Sequence, residues 1–128
     1  MERWNQGHYN GGTADAGVVF KLDTTGKETV LYSFTGGSDG ADPSTALILD
    51  SVGNLYGTTT YGGIANKGVV FKLDTAGHEP VVYGFTRGTD GSGPESAVIV
   101  DPAGSLYGTT FQGGTVDDGV LFKLTPAP

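Results

Sequence analysis

The chain repeats itself, and the repeat decides most of what it can fold into. GGTADAGVVFKLD begins at Gly11, GGIANKGVVFKLD at Gly62 and GGTVDDGVLFKLT at Gly113, two steps of 51 residues each. Residues 11–61 align with 62–112 without a gap, and 30 of the 51 positions are identical. A period of this size marks one supersecondary unit that must stack on its own copies, because a single unit cannot bury its apolar face alone. The chain reads as one repeat domain over 1–128: a partial repeat (1–10), repeats 11–61 and 62–112, and a partial repeat (113–128). The WNQGHYN ahead of Gly11 retains little of the LYGTTTY that precedes Gly62.

Each unit carries four strand candidates, all rich in Val, Ile, Leu, Tyr, Phe and Thr. Strand A covers 46–50 and 97–101. Strand B covers 54–61 and 105–112. Strand C covers 18–23, 69–74 and 120–125. Strand D covers 29–35 and 80–86. A meets B, and C meets D, through the pattern D-x-x-G, which occurs four times: Asp23 to Gly26, Asp50 to Gly53, Asp74 to Gly77 and Asp101 to Gly104. The Asp can accept backbone hydrogen bonds, Pro102 fits the second turn position, and the Gly supplies a left-handed residue, so these are tight hairpins. The other connections are long and rich in Gly, Asp and Asn. In an up-and-down sheet, the short hairpins therefore share one edge and the long loops share the other.

A four-stranded antiparallel meander recurring every 40–50 residues is the signature of a β-propeller blade. The expected fold is all-β, with about 2.5 blades per chain and a ring completed by oligomerisation, as a dimer or trimer, or by further repeats. A compact sandwich of hairpins is the alternative. Gly57-Thr58-Thr59 and Gly108-Thr109-Thr110 fit a crowded position between blades. Phe20, Phe71 and Phe122 fit one repeated core position, and Tyr32, Phe34, Tyr83 and Phe85 fit packing nearer the rim.

Composition removes several classes of function. The net charge of −7 leaves no basic surface for nucleic acid or for anionic lipid. There is no cysteine, which excludes disulfides, zinc-thiolate sites and thiol chemistry. No apolar run reaches the ~18 residues of a membrane span, so no membrane insertion is expected. Residues 1–10 are polar and do not form a signal peptide. Twenty-three glycines interleaved with apolar runs indicate turns rather than helices.

GNLYGTT, the GG before GVVFKLD, LYSFTGG-DG followed by Pro43, and the LILD/VIVD strand together resemble the GloVer-type tandem repeat. The resemblance runs from Gly11 to Leu124, with several motifs in the right order and spacing. It implies a propeller-like repeat of bacterial extracellular or surface proteins that carry varied C-terminal anchors, and therefore a secreted or cell-surface location. It implies no activity, since that family has no catalytic motif to carry over.

Candidate functional residues gather on the long-loop edge. Asp39 and Asp90 recur in the D–A loops; Asp15, Asn66 and Asp117 recur at one position of the B–C loops, with Asp118 beside the last. These oxygen-bearing groups would suit sugar hydroxyls or calcium; the competing reading is Asx turns that satisfy the loops themselves. No cofactor is otherwise expected. Differences between repeats also collect there: Thr13/Ile64/Thr115, Ala16/Lys67/Asp118, Gly36/Arg87 and Asp42/Gly93. The expectation is a non-catalytic module that binds a glycan or a surface protein through this edge, with Arg87 among its contacts. A structural spacer is the first alternative. A propeller-type glycosidase or lyase is the second, and its only loose acid/base candidates are Asp117, Asp118 and His8.

Overall fold

A computed structural model describes residues 3–8, 16–43 and 45–125. Its strands are β1 (Arg3–His8), β2 (Val18–Leu22), β3 (Glu28–Ser33), β4 (Ile48–Leu49), β5 (Leu55–Thr59), β6 (Val69–Leu73), β7 (Val81–Gly84), β8 (Ser92–Pro94), β9 (Ile99–Val100), β10 (Leu106–Gln112) and β11 (Leu121–Leu124). No helix occurs among the described residues. The strands form three separate antiparallel sheets. The first is β1-β2-β3, the second β4-β5-β6-β7. The third pairs β10 with β11, with β9 and with β8.

The second sheet is the A–B–C–D meander read from the sequence. Strand A, however, keeps only Ile48–Leu49 and Ile99–Val100 in the backbone ladder. Ahead of it, hydroxyls take over the stitching. Thr45 Oγ1 meets Thr58 Oγ1 at 2.8 Å. Ser96 Oγ meets Thr109 Oγ1 at 2.9 Å and accepts from the Thr109 amide at 3.3 Å. The four D-x-x-G hairpins share one construction. Each Asp Oδ1 accepts the amides two and four residues on, as Asp23 does from Thr25 and Lys27 at 2.9 Å each. Each Gly has φ between +89° and +96°, a backbone region that a side chain would strain.

The repeat extends to register. Leu55 pairs with Leu73 and Gly57 with Phe71, and Leu106 pairs with Leu124 and Gly108 with Phe122 in the same way. Gly57 makes room for the Phe71 ring, since a Cβ there would lie 2.8 Å from its Cζ. The amino-terminal segment adds a strand to the count of about two and a half units. β1 occupies the strand B slot of the first sheet, with Trp4 opposite Lys21 as Tyr56 is opposite Lys72. A bulge at Gly7/His8 absorbs a one-residue offset. The chain thus contains parts of three sheets.

Two cores bind the sheets face to face. Between the first and second sheets lie Val19, Phe34, Leu55, Val69, Phe71 and Leu73; between the second and third lie Val70, Phe85, Val98 and Leu106, backed by Phe122. Edge-to-face ring pairs recur at both seams, Phe34 on Phe71 at 5.1 Å and Phe85 on Phe122 at 5.2 Å. Burying such a ring is worth about 2–3 kcal/mol. The second sheet is covered on both faces, so Val69 and Val70, which point oppositely, are both fully buried.

Candidate functional site

The long loops interlock at one end of the sheets, as the alternation of short and long connections requires. The Gly63 amide donates to the Gly37 carbonyl at 2.8 Å, and the Gly114 amide to the Gly88 carbonyl at 2.9 Å. Backbones cross where GG meets DG. A Cβ on Gly62 would lie 2.5 Å from the Gly40 backbone, and one on Gly113 would lie 2.5 Å from Gly91. These crossings hold the loops of adjacent sheets in fixed relation.

The sequence candidates divide by what their side chains touch. Asp39 accepts from the Tyr32 hydroxyl at 2.8 Å and from the Thr35 amide and hydroxyl at 3.0 and 2.6 Å. Asp90 repeats this with Tyr83 and Thr86 and adds the Gly88 amide. Burial alone would raise both carboxyls, but these bonds outweigh it and hold them below the ordinary carboxylate range. Asn66 and Asp117 have φ of +55° and +60°, and each Oδ1 accepts an amide of its own loop, from Gly62 or Gly113, at 2.8 Å. All four anchor their own loops. Asp118 is exposed beside them. Asp15 lies outside the described residues. Among the described residues, no three His, Cys, Asp or Glu side chains come together as a metal site.

Arg87 behaves differently. Its Nη2 reaches Asp117 Oδ2 at 3.0 Å, joining the loop that leaves the second sheet to the loop of the third. The hydrogen bond from Arg87 and then the Gly113 amide depress the Asp117 carboxyl. Arg87 sits at φ +69°, a position held by Gly36 (φ +83°) one repeat earlier. A bulky residue in that conformation is strained and persists only where its surroundings hold it.

Arg87 and Asn66 line a cleft of about 270 Å³ at the seam of the second and third sheets. Lys67, Tyr61, Glu95 and Phe111 line it too, with Thr60, Ser92, Gly93 and Gln112. Tyr61 and Phe111 are both largely exposed. The cleft thus offers two aromatic surfaces, two cations, one carboxylate and two amides. At the first seam the corresponding positions hold Gly36 for Arg87 and Ala16 for Lys67. Sequence reasoning found Arg87 and Asn66 but not Tyr61 or Phe111 as partners; the only available signal was their failure to repeat. Larger, more open hollows of about 590 and 410 Å³ lie at the hairpin end of the seams.

A second group of carboxyls lies at the first seam. Both oxygens of Glu79 are buried and lack a hydrogen-bond donor in good geometry. The nearby Tyr32 hydroxyl already donates to Asp39. Burial, and then the Asp39 charge, push Glu79 up to about 8. Burial likewise raises Asp42, whose Oδ1 has no partner and whose φ is +64°.

No curated protein matches the chain. The family described as the Gloeobacter/Verrucomicrobia repeat matches residues 7–128, bearing out the resemblance seen in the motifs.

Proposed function

Because the chain belongs to the Gloeobacter/Verrucomicrobia repeat family, we propose that it is a non-catalytic binding module of a secreted or cell-surface protein, its sheets serving as β-propeller blades. The ligand is a glycan, and it sits in the loop-end cleft between the second and third sheets. One observation carries this reading. Among the described residues, the second seam gathers Arg87, Lys67, Tyr61, Glu95 and Phe111 in one cleft, where the first holds Gly36 for Arg87 and Ala16 for Lys67. Exposed rings flanked by a few polar groups are the usual composition of a small-ligand site. A guanidinium, an amide and a carboxylate offer both donors and acceptors to sugar hydroxyls.

The test is a glycan array probed with the intact chain, followed by titration of any hit against Arg87→Ala and Tyr61→Ala. We expect a hit in the micromolar to millimolar range, weakened about tenfold or more by either change, the equivalent of ~1.4 kcal/mol. An array that stays silent with folded protein would remove the glycan reading. Binding that survives both substitutions would move the site elsewhere.

A further inference from the structure

We infer that the ligand of the loop-end cleft is acidic: a glycan whose sugars carry a carboxylate, that is, a uronic acid. This rests on the glycan reading of the cleft and narrows it to one class of sugar. The chain as a whole points the other way, with a net charge of −7. At physiological salt, however, exposed charges more than about 8 Å apart are largely screened from each other. A small ligand therefore responds to the side chains that line its cleft.

Those side chains have changed sign between repeats. Asp15 gives way to Asn66 and Asp42 to Gly93, which removes two carboxylates from the lining positions. Ala16 gives way to Lys67 and Gly36 to Arg87, which adds two cations. The change from Ser44 to Glu95 runs in the opposite direction, and the other lining positions are uncharged in both repeats. The formal charge thus moves from −2, from Asp15 and Asp42, to +1, from Lys67, Arg87 and Glu95. One repeat later, Asn66 and Lys67 are replaced by Asp117 and Asp118, so the acidic character returns.

The geometry leaves both cations free to meet an anion. Arg87 Nη2 donates to Asp117 Oδ2 at 3.0 Å, and the two side chains are 40% and 53% exposed. An ion pair so exposed is weak, so it holds the guanidinium in place and offsets its charge only in part. The rest of the planar donor fork, whose shape matches a carboxylate, has no partner among the described residues. Lys67 likewise pairs with no side chain among them. Its carbonyl accepts the Gly93 amide at 2.8 Å, which fixes the base of the side chain across the seam. The exposed rings of Tyr61 and Phe111 favour a carboxylate borne on a sugar over a small free anion, because a sugar has C–H faces to lay against them.

Titration of the intact chain with trisaccharides of galacturonic, glucuronic and mannuronic acid, each against its methyl ester, tests this. The ester keeps the hydroxyls and loses the charge. We expect at least one acid to bind about tenfold or more tighter than its ester. Lys67→Met, folded by its dichroism spectrum, should weaken that acid about fivefold and leave the ester unchanged. Equal binding of acid and ester overturns the proposal, as does binding of a neutral or sulfated glycan where no uronate binds; in both cases the glycan reading stands. Silence with every sugar, neutral ones included, removes both. A preference for the acid that survives the folded double variant Lys67→Met, Arg87→Gln would mean that the charge is read elsewhere, which also overturns it.

Discussion

The two seams of this molecule share a framework and differ in everything laid on top of it. At both, a Phe from strand D stacks edge-on against a Phe from strand C of the next sheet, within 0.1 Å of the same separation. At both, an Asp in the D–A loop ties the Tyr two residues before that Phe to the loop. Among the described residues, the second seam carries the Arg87 bridge and the mixed cleft, and the first carries the buried Glu79 carboxyl, at a repeat position where Glu28 also stands. The repeat thus specifies packing, and the cleft of the second seam is built from departures from it. Buried repeated positions are constrained on all sides by close packing, whereas a loop residue needs only a compatible backbone angle.

The comparison can be broken most forcefully in the cores. Phe71→Ala removes a fully buried ring and should cost about 3–5 kcal/mol, read by denaturant titration. Phe122→Ala, at the half-buried equivalent, should cost about half as much. Equal losses would mean that the third sheet is as well covered as the second. Next are the backbone crossings. Gly62→Ala and Gly113→Ala each combine a positive φ with a 2.5 Å clash and should cost about 2–3 kcal/mol. Gly26→Ala, at a hairpin with nothing near the added methyl, should cost less.

Glu79 gives the first seam a pH signature. The unfolded carboxyl ionises near its ordinary value of 4.5, and the folded one keeps its proton up to about 8. The folded state therefore binds the extra proton between these values. Its stability is unpenalised below pH 4.5, falls as pH rises through this window, and levels off above it. Glu79→Gln should raise stability by about 1–2 kcal/mol at pH 9, after allowing for solvent screening, and change it little at pH 4. Thermal melts at the two pH values would show this; an equal gain at both would point to packing instead.

A smaller effect separates Asp42 from Gly93, which have φ of +64° and +65° at the same repeat position. Asp42→Gly relieves both the backbone strain and an unpartnered buried oxygen, and should stabilise by about 1 kcal/mol, visible as a raised denaturant midpoint. Smallest of all is Arg87→Gly. It loses an exposed ion pair worth about 0–1 kcal/mol and gains relief at φ +69°, so stability should move by less than about 0.5 kcal/mol while any ligand affinity falls.

Much of the framework was legible in the residues. Four D-x-x-G turns located the hairpins because an Asp side chain and a left-handed Gly leave the chain little alternative. The loops share an end because strand alternation leaves no other place for them. β1 was hidden because its bulge breaks the 51-residue register and its residues no longer resemble strand B. β8 was missed because Ser92–Pro94 has no strand-like composition; it pairs only because the loops cross there. The cleft was half visible. Arg87 and Asn66 stood out as variable or oxygen-bearing, but Tyr61, Glu95 and Phe111 come from three separate segments that only the seam unites. Asp39 and Asp90 suggested ligand binding by type, and their hydrogen bonds show them anchoring their own loops.

The glycine crossings have a consequence for anyone wishing to redesign this molecule. Because Gly62 meets Gly40 and Gly113 meets Gly91 backbone to backbone, and Asp39, Asp90, Asn66 and Asp117 tie their own loops, the cleft's remaining side chains are not needed to hold the loops in place. Positions 61, 67, 95 and 111 can then be randomised together while the loop geometry stays constant. A combinatorial library built there would vary recognition without reshuffling the scaffold, as tandem arrays do when one copy diverges and its neighbours do not.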